Sequence, residues 1–411
     1  MKKYLILLKN RNYCLYITGQ IVSRFSDGLF KLAFTWALVD TTGSIKPVAI
    51  MLVMSYLPQL LVGFWGGTLI DMFDRKKIMV LSECISAAAI FLLLGSYLLH
   101  IRFLLVLYII RFFLSLMDVF YSPAAMAYIP KIVGRENLLT ANSFYAAVKN
   151  VANVASLALA TVLVVTIDLS NIILINALAY VFSGLMILII PVDGRVAPDQ
   201  RNGERVLFNF ASFKKAINYI LGNKFVIQFA LLLLLANIAY DMIYSMPALF
   251  AKVHLETSAF GFGIIEIATS LGMILGAVTV GAISLKKAGI SFAISAIGGS
   301  VILVLIPLNH SLYYAVFLYF IYAGLDALSI PCFAYLQLCV KENLKGWVFA
   351  IFDTVVLFSA PFSALLMYYV VDEIGITFSY MLAAAILLLA GIFSFSLKAF
   401  RSADLRDMEK L

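Results

Sequence analysis

The stretch "GGTLIDMFDRKK", Gly66 to Lys77, decides how this chain is read: its last seven residues hold Asp71, Asp74, Arg75, Lys76 and Lys77, and a long apolar stretch lies on either side. About 20 helical residues cross roughly 30 Å of hydrocarbon, so a short charged hinge between two such stretches is a loop between membrane spans. Outward from this hinge the pattern repeats. Twelve apolar stretches, at approximately 13–38, 46–70, 78–99, 103–126, 138–166, 171–191, 222–250, 258–283, 289–308, 311–335, 346–370 and 375–397, are separated by turn residues or charges. With 63% apolar residues, 13% charged residues and a mean hydropathy of +1.01, the composition predicts an all-α membrane protein of twelve transmembrane helices embedded in a lipid bilayer.

The net charge of +8 follows the topology rather than a nucleic-acid surface. Lys and Arg favour cytoplasmic loops, and with the N-terminus inside, 23 of the 30 bases fall on that side. Lys46, Arg102 and Lys252 fall outside, while Arg24, Lys31, Arg111 and Lys149 lie within spans. Both termini are therefore expected in the cytoplasm, and no nucleic-acid partner is expected. Leu5 to Leu8 is too short for the apolar region of a secretory signal, so the first span is expected to be retained. Cys14, Cys84, Cys332 and Cys339 form no CxxC pair and have no His neighbours, and they read as small packing residues rather than disulfides or a metal site. His100, His254 and His310 fall in predicted outside loops, where they read as surface residues.

The longest polar interval divides the spans six and six. Residues 1–191 form an N-terminal six-helix bundle, 192–221 a cytoplasmic linker, and 222–411 a C-terminal six-helix bundle. Within the linker, "VLFNFASFKKAINYIL" alternates apolar and polar residues at a helical period and predicts an interfacial helix. The halves match weakly as a parallel repeat, so the two bundles are expected to be pseudo-symmetric. Asp118 and Pro123 in "DVFYSPAAMAY" stand opposite Asp326 and Pro331 in "DALSIPCFAY" at an offset of 208, and Lys76-Lys77 stand opposite Lys286-Lys287 at 210. The second copy of the hinge, "GAVTVGAISLKK", keeps the lysines but has Gly281, Ser284 and Leu285 in place of Asp71, Asp74 and Arg75.

Twelve spans in a six-plus-six repeat, a central linker and a Gly-x-x-x-Asp…Asp-Arg-Lys-Lys loop after span two together resemble the major facilitator superfamily. "SPAAMAYIPKIVGRENLLTANSFYAAVKNVA" and "NRNYCLYITGQIVSRFSDGLF" resemble its bacterial subgroup of macrolide-efflux proteins and siderophore exporters. The resemblance implies alternating access between two bundles around a central site. It also implies a cytoplasmic gating motif of Gly67, Asp71, Asp74, Arg75, Lys76 and Asp118, with Asp71 directed to the start of span eleven near Lys345 to Trp347 and Arg75 paired with Asp118. This sequence departs from the family pattern in three places: Met72 replaces the usual arginine, no glycine follows Arg111 in "RFFLSLMDV", and span five, "NVANVASLALATVLV", lacks a Gly-Pro pair.

Charges inside the spans mark the candidate site. A charge at the bilayer centre costs about 2.5–3.5 kcal/mol, and Asp27, Glu83, Asp118, Asp241, Glu266, Asp326 and Asp353 join the four embedded bases. Arg24, Asp27 and Lys31 share one face of span one at i, i+3 and i+7. Tyr145, Lys149 and Asn153 line a face of span five; Asn237, Asp241 and Tyr244 one of span seven; Tyr319, Tyr322, Asp326 and Ser329 one of span ten. Several alternatives stand open. Asp27 either neutralises Arg24 or Lys31 or couples to protons, and Asp118 and Asp326 are either paired locks or proton sites. Arg111 and Lys149 are counter-ions or contacts for an anionic substrate group, and Asp353 is a partner for Lys149. Asp241, with no base on its own helix, is the clearest candidate to carry a proton, whereas Glu83 and Glu266, near span ends, are expected to reach the interface.

These features predict a secondary active transporter in the bacterial cytoplasmic membrane. The expected activity is proton-coupled efflux of amphipathic small molecules, of a drug or macrolide-like kind, by a monomer, with sodium as the alternative ion. A dedicated exporter of one metabolite, siderophore or peptide, and a non-transporting membrane sensor or scaffold, are the competing readings. No phosphate loop, metal-ligand spacing or nucleophile motif is present in the sequence, so neither an enzyme nor a cofactor is expected.

Overall fold

The computed structural model describes residues 7–70, 73–101, 103–134, 137–194, 210–283, 287–340 and 342–404. They are almost wholly helical. In lipid every backbone N–H and C=O must find a partner within the chain, and a helix meets that demand inside one segment. The first six long helices are α1 (Arg11–Thr42), α2 (Lys46–Ile70), α3 (Arg75–Leu98), α4 (Phe103–Val133), α5 (Leu138–Thr166) and α6 (Leu169–Ile189). After α7 (Phe210–Gly222) come α8 (Lys224–Tyr244), α9 (Ala259–Ile283), α10 (Ala288–Leu305), α11 (Leu312–Asp326), α12 (Ile330–Cys339), α13 (Glu342–Ile374) and α14 (Ile376–Ser396). Among the described residues the β pairing is one isolated bridge, Lys287 to Asp404.

Eleven spans among the described residues are long and apolar enough to cross a membrane. The twelfth helix is α1. Its 32 residues are ample in length, and its hydropathy is lowered by Arg24, Asp27 and Lys31, the residues expected to face inward.

The span predicted over 311–335 is built from two helices. The α11 helix ends at Asp326, a 3-10 turn covers Ala327–Ser329, and α12 restarts with Pro331 in its first turn. Proline has no N–H to donate and clashes with the preceding turn, so a break here is expected. Its repeat-mate Pro123 sits inside the unbroken α4, as neighbouring helices in a membrane bundle allow. The α8 helix likewise gives way at Pro247 to a short π-helical segment, Phe250–His254, beyond the expected end of span seven.

The chain forms two compact units: Met1–Ala37 with Met54–Leu207, and Leu38–Val53 with Phe208–Leu411. Their internal pairings correspond. In the first unit α3 packs against α6 and α4, and in the second α10, the third long helix of its half, packs against α14 and α11. Close approach within the first unit depends on Gly28 of α1, where a Cβ would stand 2.0 Å from Ser156 Oγ of α5. Large apolar side chains such as Met126 (73% exposed) and Phe317 (60% exposed) face outward, which is the surface a bilayer covers.

The linker helix α7 buries Ala216 and Ile220 and exposes Lys214 and Lys215, as its alternation predicts. It is tied to the second unit by the Tyr219 hydroxyl, which donates to the Cys339 carbonyl at 2.7 Å. Residues 195–209 of the expected linker lie outside the described residues.

Candidate functional site

Four helices of the first unit converge on one small polar cleft. From α1 come Gln20, Ser23, Arg24 and Asp27, spaced so that all lie on one face; from α3, Ser82, Glu83 and Ser86; from α4, Met117, Asp118 and Tyr121; from α6, Tyr180. Three carboxyls and one guanidinium share this space. The lining is mainly polar, with Met117 the one aliphatic side chain in it, so the cleft is suited to charged and hydrogen-bonding groups.

Each charged group has a distinct setting. Asp27 Oδ1 accepts from the Tyr180 hydroxyl at 2.9 Å and from Asn176 Nδ2 at 3.2 Å, and Asn176 also donates to Ser26 Oγ at 3.0 Å. Its bonds therefore run across to α6 and not to the bases on its own helix. Arg24 Nη2 lies 3.8 Å from Asp118 Oδ1. Gln20 donates to the Tyr121 hydroxyl. Glu83 is only 4% exposed, and its Oε1 accepts from Ser183 Oγ of α6 at 2.8 Å. That corrects the expectation that Glu83 reaches the interface: the side chain is buried between α3 and α6.

Other embedded residues of this unit stand apart from these bonds. Arg111 donates to Ser55 Oγ through Nε and Nη2, at 3.2 and 3.0 Å, while remaining within electrostatic reach of Asp118, as does Lys149. Tyr145 packs against Tyr16 at 6.3 Å between ring centroids. Lys31, Lys149 and Asn153 are exposed on their helices.

The charged loop between α2 and α3 is anchored locally. Asp74 is the N-cap of α3, its Oδ1 accepting from the Lys77 N–H at 3.2 Å. The Arg75 N–H donates to the Gly194 carbonyl at 3.2 Å, and Lys76 Nζ donates to the Ile190 carbonyl at the end of α6, 2.6 Å away. The expected Arg75–Asp118 pair gives way to a different arrangement: Asp118 meets Arg24, and Arg75 Nη1 donates to the Ala127 carbonyl at 3.2 Å. Gly67 falls within α2, and Asp71 lies outside the described residues.

In the second unit the Ser359 hydroxyl is 2.7 Å from Asp241 Oδ2 and 2.7 Å from the Val356 carbonyl, so its one proton serves a single acceptor at a time. Asn237 donates to the Leu233 carbonyl of its own helix at 2.8 Å. Tyr240 lies 3.2 Å from Ser295 Oγ and within electrostatic reach of Asp326. Tyr322 stacks obliquely on Tyr240 and Tyr244, with centroids 5.6 and 6.4 Å away. The hydroxyls of Tyr244 and Tyr322 are buried with no hydrogen-bond partner among the described residues. Asp353 is exposed and Glu266 half-buried. His254 differs from the expected surface residue. Its ring is stacked between Phe250 and His310, at 4.8 and 4.3 Å.

The sequence profile of the Major Facilitator Superfamily matches residues 16–346. The chain belongs to the major facilitator superfamily. It is 23% identical to macrolide efflux protein A of Streptococcus pyogenes, over 94% of this chain and 96% of that protein. It is equally 23% identical to the multidrug efflux pump Tap of Mycolicibacterium fortuitum, over 95% and 97%. Among solved structures, the nucleoside transporter NupG (D323A mutant) superposes with a TM-score of 0.71 at 13% identity, covering 95% of this chain and 100% of that one. A bacterial homologue of the iron transporter ferroportin, inward-facing, does so at 0.65 and 15%, covering 94% and 98%. These two likenesses carry the fold of a superfamily transporter: twelve helices in two pseudo-symmetric six-helix bundles.

Sequence reasoning missed Gln20, Tyr121 and Tyr180 in this transporter's cleft and Asn176 behind Asp27, and it named Glu83 but placed it at the interface. A signal for the α6 partners was present: Asn176, Tyr180, Ser183 and Gly184 recur at i, i+4, i+7 and i+8, a polar stripe on an otherwise apolar span.

Proposed function

We propose that this transporter is a proton-coupled exporter of amphipathic small molecules. It would act as a monomer in a bacterial plasma membrane, with both termini in the cytoplasm. The observation that carries this reading is the first-unit cleft, in which Asp27, Glu83 and Asp118 outnumber Arg24 three to one inside a membrane bundle. An acidic excess out of bulk water favours binding of protons or of a solute with a cationic group. In the second unit Asp241, held by a single serine, offers a further proton-binding group. The efflux names of its full-length relatives support the outward direction. Coupling arises if protonation and solute binding favour different conformations, each ligand shifting the equilibrium by its differential affinity.

Reconstitution into liposomes with an imposed pH gradient tests this. Solute flux is expected to follow the gradient and to fall at least tenfold in Asp27→Asn, with a smaller loss in Asp241→Asn. Flux indifferent to the gradient, with both variants moving solute like the parent, would sink proton coupling through these residues. Replacing the proton gradient by a sodium gradient separates the two ions.

A further inference from the structure

The three carboxyls of the first-unit cleft are not equivalent, and their hydrogen bonds rank them. Asp27 receives two donors, from Asn176 and Tyr180. Asp118 faces the Arg24 guanidinium and is 63% exposed at its side chain. Glu83 has one neutral donor, Ser183, and its other oxygen, Oε2, is buried with no hydrogen-bond partner among the described residues. Burial without compensating donors penalises the charged form of a carboxyl far more than the neutral form.

The surroundings sharpen the contrast. Tyr16, Arg24 and Asp27 face Glu83 from α1, Asp118 and Tyr121 from α4, and Tyr180 and Ser183 from α6. One base among these stands against two aspartates, so acids already exceed bases and a charge on Glu83 would widen the imbalance. The packing fixes the side chain there: Gly184 leaves room for it, since a Cβ on that residue would come within 3.2 Å of Glu83 Cβ. At the repeat offset of 210 the second unit has Ala293, 2% exposed, opposite Glu83, so the group belongs to the first unit alone.

We infer that Glu83 is a proton-binding site of the cleft, carrying its proton on Oε2 in the conformation seen here. Ser183 is a positioning residue. Its hydroxyl occupies Oε1 and leaves Oε2 to gain and lose the proton. Proton release requires a cation to replace that proton. Arg24 supplies it by turning from Asp118, and a solute ammonium group supplies it by entering the cleft. The inference deepens the proton-coupled reading and rests on it for the purpose of the proton, but not for the proton's presence.

Infrared spectroscopy of the full-length protein in lipid bilayers, without solute or gradient, tests it. A carboxylic-acid C=O band is expected at neutral pH. It should shift when all glutamates carry a ¹³C-carboxyl label in the unmutated protein, and be lost in Glu83→Gln while persisting in Asp27→Asn. Ser183→Ala should move the band's frequency without abolishing it, and Ser183→Thr should restore it. No glutamate-sensitive band, or one that survives in Glu83→Gln, overturns the inference. If the band behaves as expected while flux ignores a pH gradient, proton-coupled export falls and the site stands. If flux follows the gradient and the band is absent, the site falls alone.

Discussion

At 3.8 Å, with 31% and 63% of the two side chains exposed, Arg24 and Asp118 form a loose ion pair. Exposed pairs of this kind contribute about 0–1 kcal/mol, so its use lies in the ease of exchanging partners. The Ser183–Glu83 bond is different, because it is buried and its loss strands a polar atom at a cost of about 1–3 kcal/mol. Thermal unfolding in detergent should therefore show Asp118→Asn within about 1 kcal/mol of the parent. Ser183→Ala should be the more destabilised of the two, and the reverse order would contradict this assignment of the cluster. The embedded charges themselves were legible in the sequence, because a charge in an apolar span needs a reason. Their partners were not. Spacing along α1 shows that Arg24 and Asp27 share a face, but only the packing of α6 against that region shows that Asp27 turns to Tyr180 and Asn176.

Helix ends explain more of the Gly66–Lys77 stretch than orientation alone. Asp74 caps α3, and Lys76 places a cation on the C-terminal carbonyl of α6, where the helix dipole favours positive charge. Asp74→Ala is expected to cost about 0.5–2 kcal/mol of stability, with Asp74→Ser or Asp74→Asn recovering most of it. A transport loss in Asp74→Asn with unchanged unfolding would instead point to a gating role. Helix packing gives a second element-level expectation. A methyl group at Gly28 would overlap Ser156, so Gly28→Ala should destabilise by about 1–3 kcal/mol and Ser156→Gly should relieve part of that loss in the double variant. At this scale the sequence was legible wherever apolar length decided the outcome. It misled at Pro331, since a span-length apolar run does not reveal that the proline breaks the helix while Pro123 in the matching position does not.

For the whole molecule, the repeat supplies the frame and the differences between its copies supply the chemistry. Asp118 and Asp326 occupy matching positions, yet one faces the Arg24 guanidinium and the other lies within electrostatic reach of neutral Tyr240, each on the first helix of its own half. The first unit adds Glu83 and the second a tyrosine cluster, which suits two halves with separate tasks. The fold was legible because twelve long apolar runs leave few alternatives, and the weak point was α1, whose polar face lowers the very signal that marks a span. Its crossing can be tested together with the orientation drawn from the bases. In a background with all four cysteines replaced, single cysteines at Leu8, Leu99 and Arg401, each exposed, bracket the question. A membrane-impermeant maleimide should label Leu99→Cys in intact cells and reach Leu8→Cys and Arg401→Cys only after permeabilisation. Three spans then separate the first two sites and nine the last two, both odd numbers that carry the chain across. Labelling of Leu8→Cys in intact cells would mean that α1 does not cross, and an inverted pattern at all three sites would place the basic loops outside.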